Sequence, residues 1–374
     1  MASITGNKEI LAVSGGNSVY LLERKNGLLQ TLEPPVEDKE ITTKKVPKKG
    51  ETSSEHADKH MACAALSSCG RYLALATCRG TKCLLIWQLE GQTWSLISQR
   101  PIGRAASKIR FTNSASRVLI ADKAGDVYSF SVTEPTKEKE WLLGHIAMLL
   151  DVTVSDDEKY IISCDRDDKI RVACFPNCYN INSYCLGHTS FVTSLSFLPH
   201  NPYILVSSSG DGCIKLWKYL EGKELLSIPV NKYVPALDGE ILPIKQCSVF
   251  QVSPDASLMS VCIGSSSKCP IFKIDGTDNL QVKLLCTIGS EDQEVWWTQF
   301  TRENSMLLMK NNKMQPVEVW SWDENYDFLL NQNETELYVK HSDAFQECFS
   351  CPSIPSMLYR KNYDEPADKV KKHS

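Results

Sequence analysis

Two Gly-His dipeptides, Gly144-His145 and Gly187-His188, stand 43 residues apart, and each opens a stretch with the same order of parts. After the second come Phe191-Val192-Thr193-Ser194-Leu195-Ser196-Phe197 and then Leu205-Val206-Ser207-Ser208-Ser209-Gly210-Asp211-Gly212-Cys213-Ile214-Lys215-Leu216-Trp217. After the first come Leu149-Leu150-Asp151-Val152-Thr153-Val154-Ser155 and then Tyr160-Ile161-Ile162-Ser163-Cys164-Asp165-Arg166-Asp167-Asp168-Lys169-Ile170-Arg171-Val172. Short apolar runs rich in β-branched residues, broken by Gly, Asp and Ser turns, read as strands. A period of roughly 40 to 45 residues built from such strands is that of a WD repeat. One such unit cannot bury its apolar faces alone, so similar units must flank it.

In a WD unit a hydrogen-bonded chain ties the strands together: the histidine of Gly-His meets a turn aspartate, and a serine and a strand tryptophan extend the link. Such a network fixes register, because buried polar groups left unpaired are destabilising. The second unit supplies His188, Ser207, Asp211 and Trp217. The first supplies His145, Ser163 and Asp167 but carries Ala173 where the tryptophan would stand, so it is degenerate. Weaker copies occupy residues 66–87, 108–130, 247–274 and 295–320, and the runs Ile10-Leu11-Ala12-Val13 and Val19-Tyr20-Leu21-Leu22 supply one more. The expected fold is all-β, a seven-bladed WD-repeat β-propeller over residues 1–350, with a mobile polar insert at about 33–59 and a C-terminal segment and polar tail at 351–374. The insert holds the basic run Lys44-Lys45-Val46-Pro47-Lys48-Lys49, which reads first as a solvated charge run. Closure is expected to pair a strand near Glu336-Leu337-Tyr338-Val339 with the N-terminal strands.

The 374 residues are 42% hydrophobic, enough for a large core, and the formal charge is -4. Whole-chain basicity therefore offers no support for nucleic-acid binding, which would have to use local patches. The N-terminus lacks the basic and apolar run of a signal peptide, and no apolar stretch approaches the ~18 residues of a membrane span, so a cytosolic or nuclear protein is expected. The 15 cysteines fall singly in apolar runs, as at Cys63, Cys78, Cys83, Cys164 and Cys262, and read as buried thiols. The pair Cys348 and Cys351 has metal-ligand spacing without a second pair, so no metal site is expected.

Chemistry of an independent enzyme is missing from the sequence. There is no G-x-G-x-x-G, no P-loop, no H-E-x-x-H and no G-x-S-x-G. The carboxylate pairs Asp156-Asp157 and Asp167-Asp168 read as turns. An active centre in a propeller channel would need converging histidines or carboxylates, and the 7 histidines form no cluster in sequence. A rigid disc that presents loops to partners remains. Its most charged turn holds Asp165, Arg166, Asp167, Asp168, Lys169 and Arg171. With Asp167 assigned to the blade network, several of the others are expected to project outward, which suits a partner of complementary charge. A merely solvated turn is the alternative, and composition does not decide between them.

Several of these segments carry a resemblance. Ala121-Asp122-Lys123-Ala124-Gly125-Asp126-Val127-Tyr128-Ser129-Phe130, Gly144-His145 followed by Met148-Leu149-Leu150-Asp151-Val152, the run from Asp165 to Val172, and Ser207-Ser208-Ser209-Gly210-Asp211-Gly212 resemble the WD-repeat non-catalytic subunit of the tRNA (guanine-N(7))-methyltransferase. The likeness is strong from about residue 105 to 220. It implies a scaffold for a separate catalytic subunit that binds S-adenosylmethionine and forms N7-methylguanosine in the tRNA variable loop. This chain itself would then have no cofactor, and the pair would be a heterodimer acting on tRNA in the nucleus, extending to the cytoplasm. The resemblance further implies that Asp165, Arg166, Lys169 and Arg171 form the charged contact with the catalytic subunit. Lys123 becomes a candidate contact to the tRNA backbone. A WD-repeat adaptor in another assembly, such as a ubiquitin-ligase substrate receptor, would share the fold and differ in the partner.

Overall fold

The computed structural model describes residues 3–6, 9–15, 18–24, 27–35, 61–77, 81–234, 239–277, 279–290, 292–301 and 304–342. The insert from residue 36 onward with its Lys44–Lys49 run, Cys78, the Cys348/Cys351 pair and the segment 351–374 lie outside the described residues.

Seven four-stranded antiparallel sheets follow one another along the chain, and they stand as the blades of a ring. Each blade uses four consecutive strands: residues 3–32, 61–101, 106–144, 149–185, 192–229, 244–288 and 295–330 form blades 1 to 7. Within a blade the first strand lies toward the ring axis and the fourth lies outermost. Second strands such as Tyr72–Thr77, Arg117–Asp122 and Tyr160–Asp165 are buried at every position but the first. They read as unbroken apolar runs because neighbouring blades cover both of their faces, which erases the period-two alternation of a half-exposed strand. Outermost strands such as Gln281–Ile288 alternate toward exposure.

The upper face of the ring carries the turns between second and third strands and the links from one blade to the next. The lower face carries the turns between first and second and between third and fourth strands.

Cysteines join neighbouring blades. The Cys63 Sγ reaches the Ala106 carbonyl, Cys164 the Val192 carbonyl (3.3 Å) and Cys262 the Val295 carbonyl (3.4 Å), linking blades 2 to 3, 4 to 5 and 6 to 7. Burial pushes the Cys164 thiol well above its ordinary pKa and that of Cys262 up to about 12, so both remain S–H donors.

Closure differs from the expectation. Residues Gln332–Val339, which include Glu336, Leu337, Tyr338 and Val339, form a helix, and blade 1 is complete with its own four strands. Asn331 caps that helix by accepting from the Glu334 amide at 3.1 Å, a start signal that the β-rich context obscured. The ring closes through side chains. Leu11, Val13, Tyr20 and Leu22 of blade 1 share a core with Leu307, Met309, Val317 and Val319 of blade 7 and with Tyr338. Gln299 donates to the Gly6 carbonyl (3.0 Å), Arg24 donates to the Tyr338 hydroxyl (3.3 Å), and the His341 ring donates through Nε2 to the Gly27 carbonyl (2.8 Å). Thr335 belongs to the sequon Asn333-Glu334-Thr335, and its buried hydroxyl accepts from the Val319 amide at 3.1 Å.

Candidate functional site

Blade 5 contains the four-residue network expected of it. His188 meets Asp211 Oδ2 through Nδ1 and Ser207 Oγ through Nε2, both at 2.8 Å, and Trp217 Nε1 donates to Ser207 Oγ at 2.8 Å. Burial pushes the Asp211 carboxyl upward, but the bond and charge of His188 and the amides of Thr189 and Cys213 more than offset it, leaving the pKa below the ordinary value.

Blade 4 builds its network differently. His145 bonds Ser163 Oγ through Nε2 at 2.8 Å, and through Nδ1 it meets Asp165, not Asp167, also at 2.8 Å. Asp165 ends the second strand, is 2% exposed, and also accepts from the amides of Asp167 (2.9 Å) and Lys169 (3.1 Å). One oxygen thus holds the turn while the other faces the histidine. At the matching place blade 5 has Ser209, which has no carboxylate to offer, so the acid there comes from two residues on, at Asp211. Counting from the serines aligned Asp167 with Asp211 and missed this exchange. Asp165 is thus a buried member of the blade 4 network and not an outward partner-binding group, and Asp167 stands outside that network. Burial raises the Asp165 carboxyl, but His145 and the two amides outweigh it, and its pKa lies below the ordinary value.

The other charged residues of the turn are at the surface. Lys169 is exposed, with Nζ 3.4 Å from the Asp167 carbonyl, and Arg166 pairs with Asp167 at 3.6 Å. Asp168 holds the turn with φ of 69°. Arg171 is half-buried: one terminal nitrogen donates to the Gly144 carbonyl at 3.1 Å, while its Nε is buried without a hydrogen-bond partner among the described residues. Lys123 is exposed on the upper face, since its amide donates to the preceding link in blade 3 (Ala105 carbonyl) as that of Arg166 does in blade 4 (Met148 carbonyl).

Large apolar side chains that sequence reading passed over lie on the strands and link next to Arg171. Tyr184 stands opposite it in the next strand. Trp141, 59% exposed, packs beside Gly144, and its indole donates to Asp126 at 2.9 Å. Ile146 is fully exposed and Leu186 largely so. The outer upper rim between blades 3 and 4 therefore joins an apolar patch to basic and acidic groups. That is the composition of a protein-binding surface, with apolar anchors inside a charged border.

The innermost strands of blades 3 and 4 bring together a charged cluster. Asp151 on the innermost strand of blade 4 is fully buried, pairs with Arg110 of blade 3 at 3.0 Å, and accepts from the Leu195 amide of blade 5 at 3.1 Å. Lys108 lies 4.0 Å away. Burial raises the Asp151 carboxyl, but Arg110 and Lys108 reverse the effect and hold it below the ordinary value. The carboxylate is committed to joining three blades.

Comparison with known proteins agrees with this architecture. The profile of the tRNA methyltransferase TRM82 WD40 domain matches residues 23–140 and 129–326. The tRNA (guanine-N(7)-)-methyltransferase non-catalytic subunit wdr4 of Danio rerio is 34% identical over 333 residues, covering 86% of this chain and 78% of that one. The WDR4 subunit of Mus musculus, bearing the same description, is 45% identical over 159 residues, 42% of this chain and 38% of that one. The wuho subunit of Drosophila erecta is 40% identical over 189 residues, 50% and 44% of the two chains. Among solved structures, the β-propeller domain of Cps50 (Swd1) from Myceliophteria thermophila superposes with a TM-score of 0.64 at 11% identity, covering 86% of this chain and 96% of that one. That likeness concerns the fold alone.

Proposed function

The chain belongs to the TRM82 WD40 family, and from that membership we propose that it is the scaffold subunit that binds and stabilises the catalytic subunit of a tRNA guanine-N(7) methyltransferase. On this reading the pair is a heterodimer that forms N7-methylguanosine in the tRNA variable loop, chiefly in the nucleus. S-adenosylmethionine then belongs to the partner, consistent with a sequence that lacks a glycine-rich nucleotide turn.

The observation that carries the reading is the rim between blades 3 and 4. Arg171 keeps a buried Nε without a hydrogen-bond partner among the described residues and bonds the Gly144 carbonyl, beside which largely exposed Trp141 packs; Ile146, two residues further on, is fully exposed. A half-buried guanidinium on a rim that carries exposed apolar anchors suits a carboxylate set in an apolar contact surface, where a charge-assisted bond is strongest. Arg166 and Lys169 extend the basic border, and Asp167 and Asp168 supply acidic groups for basic side chains of the partner. Lys123, exposed on the same face, is assigned a phosphate contact, which would position tRNA without reading its sequence.

The test is reconstitution. The catalytic subunit is assayed for methyl transfer to tRNA with and without this chain. Restoration of activity only when the two are combined supports the scaffold role; equal activity without this chain refutes it.

A further inference from the structure

On the lower face, opposite the rim, blades 4 and 5 meet at an aromatic and acidic surface that the scaffold role does not use. Its base is Tyr219, which follows the third strand of blade 5 and is 3% exposed. The ring packs edge-on against Phe197 (5.4 Å) and Tyr160 (6.2 Å). The blade 4 edge is fastened to this turn, since Ser183 donates to the Tyr219 carbonyl and Asn182 to that of Leu220. The Tyr219 hydroxyl makes no hydrogen bond among the described residues. Burial first, then the negative charges of Asp157, Tyr160, Asp156 and Tyr203 in their ionised forms, push its pKa up to about 12. A buried ring thus presents an unpartnered hydroxyl beside two exposed carboxylates. Tyr203, 69% exposed, precedes Ile204, which pairs with Lys218, and so stands next to Tyr219 at the border of the same surface.

The acidic turn is pre-shaped. Asp156 receives Asn113 of blade 3 at 3.3 Å, Asp157 receives Ser155 Oγ at 2.6 Å and the Lys159 amide at 3.1 Å, and Glu158 receives the Ser114 amide at 2.6 Å. The basic group Lys159 lies at this turn, and its bond to Asp157 at 3.2 Å is mostly exposed and so weak. Aromatic faces together with carboxylates favour a cation with an apolar stem, because ring and charge both attract the cationic head while the stem covers ring surface. Asp156 and Asp157 repel phosphate locally, while exposed Lys218 and Lys223 stand at the base of the turn that carries Tyr219.

We propose that the lower face of blades 4 and 5 is a second docking surface, which takes a lysine- and arginine-bearing segment of another protein across Tyr203, Tyr219, Asp156 and Asp157.

The probe is a fluorescein-labelled octapeptide of alternating lysine and arginine, titrated with the full chain by fluorescence anisotropy. An octapeptide of glutamine and serine is the neutral control. Asp156→Asn with Asp157→Asn keeps the acceptors of the turn, and Tyr219→Phe removes one hydroxyl, so both variants should melt as the parent does. Saturable binding of the basic peptide, weakened at least tenfold by the paired Asn substitutions and by Tyr203→Ala and several-fold by Tyr219→Phe, is the expected result. Binding equal in the parent and the paired variant, or equally weakened by Glu324→Gln with Glu336→Gln on blade 7 and its helix, would reduce the effect to general charge attraction and overturn the proposal. Binding that appears only after Lys44, Lys45, Lys48 and Lys49 are changed to Gln would assign the surface to the chain's own basic run, and would overturn it too. Methyl transfer by the reconstituted pair should be unchanged in the paired variant, which separates this proposal from the scaffold reading.

Discussion

Replacing Asp165 with alanine removes the acceptor of three hydrogen bonds at once: the His145 ring at 2.8 Å and the amides of Asp167 and Lys169 at 2.9 and 3.1 Å. The two amides lie in a surface turn and can recover water, so their loss is partial. The His145 side chain is nearly buried and retains only Ser163. Stranding one buried donor costs about 1–3 kcal/mol, and two weakened turn bonds add about 0.5–1.5 kcal/mol each. The sum is about 2–6 kcal/mol, a large part of the ~5–15 kcal/mol that holds a typical domain folded. Asp167→Ala removes an exposed ion pair with Arg166 and should cost about 1 kcal/mol or less. Urea unfolding followed by circular dichroism at neutral pH measures both. The Asp165 pKa is depressed in the folded state, so its contribution is fully present above the ordinary carboxylate pKa and is lost as pH falls through the folded value. The gap between parent and Asp165→Ala should therefore narrow in acid. Equal losses for the two variants, or a larger loss for Asp167→Ala, would refute the assignment of the blade 4 network.

Three further outcomes follow from the same contacts. Asp151→Ala leaves the Leu195 amide without an acceptor and half-exposed Arg110 without its partner, and should cost about 1–3 kcal/mol, mostly from the stranded amide; an unchanged unfolding midpoint would mean that the three-blade link is unimportant. Tyr338→Ala empties a core site shared by blades 1 and 7 and should cost about 3–5 kcal/mol, with amide exchange rising first in those two blades; uniform exchange across the ring would contradict closure by the helix. Gly125→Ala places a Cβ 2.4 Å from the His145 carbonyl at φ of +105° and should lower the melting temperature by several degrees, whereas Gly91→Ala at φ of +65°, with nothing within 4 Å, should lower it less.

The fold was legible because its constraints are periodic. Gly-His spacing and repeated Ser-turn-strand order gave the unit, and buried second strands gave the apolar runs. Blade 5 could be written residue by residue, since all four members of its network stand at their usual spacing. Blade 4 could not, because its turn offers acids at Asp165, Asp167 and Asp168, and spacing alone does not say which one faces inward. The closure was misread for a related reason: Leu337, Tyr338 and Val339 look strand-like, while the Asn331 cap and Glu334 three residues later announce a helix. At the rim the charges were visible as composition, but Trp141, Ile146 and Tyr184 come from separate strands and links, and only the fold brings those elements to the same rim as Arg171. An exposed isoleucine is indistinguishable from a buried one in sequence. The three-blade role of Asp151 likewise depends on Arg110 and Leu195 from other repeats.

The central claim is that the rim between blades 3 and 4 grips the catalytic subunit, and its direct measure is the affinity of that subunit for a rim variant. Ile146→Asp combined with Lys169→Glu alters two exposed side chains, so the melting temperature should stay within a degree or two of the parent. Burying one isoleucine stabilises a contact by about 1.5–3 kcal/mol, and a carboxylate in its place adds a desolvation penalty. Calorimetric titration should therefore give a Kd raised at least ~30-fold, with methyl transfer to tRNA falling in step at limiting concentrations. An unchanged Kd in a variant that remains folded would contradict the account.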